Sequence, residues 1–232
     1  QAKWLTEDEK QGLEAQLASE QAGLKAVKNY REAFKSPKVI LLCAQYFCWS
    51  IGVYGFVLWL PTIIKQAGSS MVATGWLSSF PYLVATILMP TLSIVSDRLG
   101  NRRSVVLPCI AISGLAYLAL YFGGQTQGMV AYLILCVAGI GPIVALPLFF
   151  SIPADILPKA VAGGAVALIN SLGALGGFLG TYLVGWLNGL TNNPASSFLL
   201  MGGSLVLAAI MLITRKVDWY QIGKTNNAVD IA

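Results

Sequence analysis

Asn170, Gly173 and Gly177 are spaced i, i+3 and i+7, so a helix would set one amide and two glycines on a single face. An amide inside an apolar run needs a partner, which is either a neighbouring helix or a ligand. The pairs Gly173–Gly177 and Gly176–Gly180 have the small-xxx-small spacing that lets another helix come close. On the residues alone, helix packing and ligand contact both stand. A second group has the same ambiguity. Gln45, Trp49 and Gly52 share a face at i, i+4 and i+7, with Tyr46 and Tyr54 beside it. An amide next to aromatic rings suits a polyhydroxylated ligand, whereas an interfacial aromatic belt with one interhelical hydrogen bond explains the same residues. Phe150 and Ser151 are lesser candidates of the same kind. The chemistry these groups offer is binding through hydrogen bonds and ring faces.

Other chemistries lack their residues. The chain has no histidine, which removes imidazole acid–base work, a histidine proton relay and histidine metal sites. No nucleophile–base pair, metal-ligand cluster or phosphate-binding glycine loop can be assembled, and the glycine-rich runs lie inside apolar segments. Neither a catalytic residue, a metal nor a cofactor is expected. Cys43, Cys48, Cys109 and Cys136 all fall within apolar runs and read as small hydrophobic fillers.

The elements that must carry these residues follow from composition. Only 11% of the chain is charged, where soluble domains run near ~25%, and the mean hydropathy is +0.69. No charged residue occurs between Lys65 and Asp97, or between Arg103 and Asp155. Long uncharged stretches separated by compact charged clusters describe a polytopic all-α membrane protein. Six spans are expected, near residues 39–64, 72–95, 104–122, 129–152, 162–187 and 198–214. They divide the chain into a linker over 1–38, a transmembrane bundle over 39–216 and a tail over 217–232. In the linker, Thr6 and Glu9 form a capping box, and Leu13 and Leu17 give a thin apolar stripe that Gly23 ends. This is the pattern of a solvated surface helix, and Pro37 marks entry into the membrane. The chain opens on Gln1 with no signal-peptide pattern and is expected to be a piece of a longer protein.

Of the 15 Lys and Arg residues, only Lys65 falls on the side opposite the linker, so the linker, the Asp97–Arg103 turn, Lys159 and the tail are expected in the cytoplasm. Both ends of the chain then face inward, across a cell membrane expected to be a bacterial inner membrane. The loops at 123–128 and 188–197 are uncharged and expected outside. The net charge of +5 lies at span ends, which argues for topology and against nucleic acid as a partner.

The run Asp97-Arg98-x-Gly100-x-Arg102-Arg103 resembles the loop motif of the major facilitator superfamily, found between the second and third helices of each half. The resemblance implies a cytoplasmic gating latch, in which the acid pairs with basic groups and a neighbouring helix end. An acid at the C-terminal end of its own helix is unfavourable for the dipole and does need a partner. Ser93 stands where that family usually has glycine, and Asn101 where it usually has a basic residue. Further on, Asp155-Ile-Leu-Pro158, Ala162-Gly163-Gly164 and the run from Ala167 through Asn170, Ser171, Gly173, Gly176 and Gly177 are similar to the anion:cation symporter branch. The implied architecture is the linker and helices seven to twelve of a twelve-helix transporter, built from two three-helix repeats of inverted topology. The implied activity is proton-coupled symport of a small organic anion, a sugar acid or tartrate-like dicarboxylate, by alternating access. Related transporters place a helix-eleven asparagine at the substrate cavity, so Gln45, Trp49, Tyr54, Asn170 and Ser151 become the expected substrate contacts. Gly173, Gly176, Gly177 and Gly180 become packing positions. The implied partners are the substrate, membrane lipid and an N-terminal half.

None of the six spans carries an interior Asp, Glu, Lys or Arg. A cation to attract a carboxylate and an acid to carry a proton are therefore expected in the other half. Two other classes are open on the residues: a self-contained six-helix protein of structural or receptor type, and an intramembrane enzyme. The enzyme is disfavoured because no span holds an acid, a histidine or a serine paired with a base.

Overall fold

The computed structural model describes residues 6, 10–12, 15, 34–124, 128–157, 159–191 and 195–214. Six long helices account for nearly all of them: α1 Pro37–Gln66, α2 Met71–Leu99, α3 Arg103–Phe122, α4 Gly128–Ile156, α5 Lys159–Thr191 and α6 Ala195–Thr214. All six are long and apolar enough to cross a membrane, and there is no strand among the described residues. This is a multi-pass membrane protein. Most of the linker, including the Glu9 capping partner and the Leu13–Leu17 stripe, lies outside the described residues, as does the tail.

Local chemistry sets the helix ends. Pro37 opens α1, where its missing N–H and fixed φ cost nothing. Ser70 caps α2 by accepting from the Ala73 N–H at 3.2 Å. Gly100, at φ 60°, closes α2 in the left-handed conformation that a side chain would resist. Asn101 Oδ1 then accepts the Arg103 N–H at 3.1 Å and starts α3. Most helices outrun the apolar spans read from sequence. The expected charged loop shrinks to 100–102, with Asp97 and Arg98 in the last turn of α2. Asp155 belongs to α4, and the expected loop at 188–197 is mostly helix, because α5 runs to Thr191 and α6 begins at Ala195. A 30-residue helix is about 45 Å long, so its ends project beyond the ~30 Å hydrocarbon layer, where charged and amide groups stay hydrated.

Packing obeys an internal two-fold. The pairings α1 with α5 and α1 with α6 are matched by α4 with α2 and α4 with α3, while α3 packs on α6 across the axis. Exchanging α1–α3 with α4–α6 returns the same set of neighbours, the mark of an inverted three-helix repeat. The core lies along α1, α3, α4 and α6, with Trp49, Phe56, Tyr117, Phe149 and Phe198 fully buried. The counterparts α2 and α5 sit at the flanks, with no substantial packing between them among the described residues. Each leaves an aromatic and aliphatic stripe uncovered at helical spacing, Trp76, Phe80, Leu83 and Ile87 on α2 and Leu175, Phe178, Tyr182 and Trp186 on α5.

Candidate functional site

The glycines of α5 lie against α1. A β-carbon on Gly176 would collide with the Phe47 carbonyl, and one on Gly180 would sit 2.6 Å from the Ile51 Cα. At these two positions backbone meets backbone, which only glycine permits. On the adjoining face, the Tyr46 ring covers Gly173 and the Tyr54 ring covers Gly177. Gly173 and Gly177 are therefore roofed by two tyrosines of α1, while Asn170, at the end of the same face, is left open.

Asn170 is exposed and has no hydrogen-bond partner among the described residues. Tyr54 is 42% exposed and lies about 10 Å along α5 from it, two helical turns away. Tyr46 joins this face to α4, stacking on Phe149 at 5.4 Å and meeting Phe150 edge-on at 4.9 Å. Next to them, Ser151 is half-buried, and its hydroxyl donates to the Leu148 carbonyl at 2.7 Å. Three helices thus bring the exposed Asn170 amide, the exposed Tyr54 phenol and the half-buried Ser151 hydroxyl to one region, backed by the buried Tyr46 ring, with no charged side chain among them. Such a surface can hydrogen-bond and stack on a ligand; it cannot neutralise a carboxylate.

Gln45 and Trp49 are placed elsewhere. Gln45 is 1% exposed, and its Nε2 donates to the Ala208 carbonyl of α6 at 3.4 Å. Trp49 is fully buried beside Phe149 at 5.2 Å, and its indole N–H has no partner among the described residues. The sequence face of Gln45, Trp49 and Gly52 thus points into the bundle, with Gly52 under Leu205 of α6, while the flanking tyrosines reach α5. Trp59 is a further contact between α1 and α5, donating to the Thr181 carbonyl at 3.3 Å with its ring over Gly185. Its signal in the sequence is only an aromatic near a span end.

At the Gly100 end, Asp97 pairs with Arg102 at 3.7 Å, which gives the acid a partner within its own turn. Arg103 reaches across to donate to the Ile213 carbonyl at 3.1 Å, at the C-terminal end of α6, where a cation meets the negative end of the helix dipole. Arg98 is exposed.

An inverted repeat of six membrane-crossing helices, with an unpartnered polar group and two uncovered flanks, is the build of one half of a membrane transporter. The sequence model of the Major Facilitator Superfamily matches residues 2–181 and 68–221. A "Putative tartrate transporter" of Agrobacterium vitis is 34% identical over 215 residues, 91% of this chain and 47% of the relative. A "Quinolone resistance transporter" of Acinetobacter baumannii is 32% identical over 91% of this chain and 49% of its own length. The "Inner membrane transport protein RhmT" of Escherichia coli K12 is 27% identical over 94% of this chain and 50% of its own length. This chain belongs to the major facilitator superfamily. It spans about half the length of the curated relatives it matches.

Proposed function

We propose that this chain is the C-terminal half of a proton-coupled symporter that carries a small organic anion, a tartrate-like or sugar acid, by alternating access. The observation that carries the reading is Asn170. An amide exposed on a membrane helix, about 7 Å along the axis from the middle of α5, is costly against lipid. Facing a water-filled cavity it is hydrated, and it is free to bind substrate. The similarity to a relative named "Putative tartrate transporter" supports a carboxylate substrate. Asn170, Tyr54 and Ser151 contact the substrate in this reading, and Gln45 and Trp49 shape α1 behind them. An N-terminal half covers the stripes on α2 and α5 and supplies the cation and the proton-carrying acid that these spans lack. The Asp97–Arg103 turn lies in the cytoplasm of a cell membrane, with Lys65 outside.

The test is uptake of labelled tartrate and sugar acids into vesicles by the two halves co-expressed. Loss of a ligand-paired buried group costs about 1–3 kcal/mol, so Asn170→Ala should raise the half-saturation concentration roughly 5- to 150-fold. Gradient-driven uptake by this chain alone would refute the assignment of charge chemistry to the other half.

A further inference from the structure

Pro81 interrupts the hydrogen-bond ladder of α2. It has no N–H, so the Leu77 carbonyl four residues earlier loses its helical donor, and the proline ring crowds that carbonyl. In an apolar bundle an unmet carbonyl is costly. The Tyr132 hydroxyl of α4 takes the place of the missing donor, bonding the Leu77 carbonyl at 2.9 Å. Among the described residues, the carbonyls freed by the other in-helix prolines of α1 to α4 receive no side-chain donor.

Among the described residues of this chain, only Thr74 and Leu77 otherwise anchor that end of α2. Met71, Val72 and Trp76 are each more than 70% exposed. Leu77 and Tyr132 also wall a cavity of about 210 Å³ between the helix ends, lined by apolar groups such as Ile63, Leu120, Leu135 and Phe198. Side chains around a void lack contacts on one side, so packing there restrains α2 weakly. By contrast α5, the two-fold counterpart, is interlocked with α1 along its glycines.

We infer that Tyr132 is a positioning residue, whose hydroxyl fastens residues 71–80 of α2 to α4 across the break at Pro81. When that bond opens, the segment swings about Pro81 while the remainder of α2 stays in place. Restoring an N–H at position 81 would return the Leu77 carbonyl to its own helix and make the tyrosine hydroxyl dispensable.

Spin labels at Val72 on α2 and Val130 on α4, both exposed, report this contact in bilayer discs, with the four native cysteines replaced. Labels at Leu99 and Ala154 report the opposite ends of the same helices. Tyr132→Phe, which removes one oxygen, should widen the Val72–Val130 distance distribution at least twofold and leave the Leu99–Ala154 distribution unchanged. In a Pro81→Ala background the same substitution should widen nothing. Equal widening in both backgrounds, no widening in either, or a change at the Leu99–Ala154 pair would overturn the inference. Because the readout is a distance, it is independent of which substrate the protein carries.

Discussion

The Tyr54 ring of α1 closes over Gly177 of α5, where a β-carbon would lie 2.6 Å from the ring's Cδ2. One turn further on, Gly180 is held against the Ile51 backbone, which cannot rotate away as a side chain can. Overpacking a tight contact costs about 1–3 kcal/mol. Gly180→Ala should therefore lower thermal stability in detergent by an amount in that range. Gly163→Ala, in the same helix with open space at its β-position, should be neutral or slightly stabilising, since alanine favours helix by up to about 1 kcal/mol. Equal effects at the two positions would show that the α1–α5 interlock does not hold the bundle.

The charged turn separates into a stabilising part and a part with little effect on stability. Arg103 donates to the end of α6, whereas the exposed Asp97 pairs with half-buried Arg102 in a surface contact of the kind that contributes ~0–1 kcal/mol. Arg103→Gln should destabilise by about 0.5–1.5 kcal/mol, read by thermal unfolding. Asp97→Asn should change stability far less. If the turn is a gating latch, Asp97→Asn will nevertheless slow uptake with less than a tenfold change in half-saturation. Native-rate transport by Asp97→Asn would reduce the motif to a topology signal.

Gln45 and Asn170 should part company in transport assays. Gln45→Leu removes a buried bond to α6, so it should lower stability by up to about 1.5 kcal/mol while leaving the half-saturation concentration within about twofold. Asn170→Ala should do the reverse. A larger transport effect at Gln45 than at Asn170 would move the substrate face to the α1–α6 side.

The class of fold was legible because charge is so costly in a bilayer that its distribution alone marks the spans and turns. Helix ends were less legible. Polar residues such as Asn188 remain helical where they find local partners; its Oδ1 accepts from the Ser197 hydroxyl at 2.5 Å. The glycine face of α5 could be read from spacing, but its partners on α1 could not, because periodicity orders residues around one helix and says nothing about the rotation of the next. That rotation turned Gln45 and Trp49 inward and brought Tyr46 and Tyr54 to the glycines. The Tyr132–Leu77 bond was half visible: Pro81 shows that a carbonyl needs a donor, and only the fold supplies the donor's name.

A single cysteine at position 170 distinguishes a face that borders a water-filled substrate cavity from one that lies against lipid. In the two co-expressed halves, with the four native cysteines replaced, Asn170→Cys should react with a membrane-impermeant maleimide added to one side of the vesicles. Saturating tartrate or sugar acid should slow that reaction at least fivefold, whereas a neutral sugar should not. Reaction with lipid-soluble maleimide alone would place Asn170 against lipid, and labelling that no organic anion slows would place it outside the substrate path.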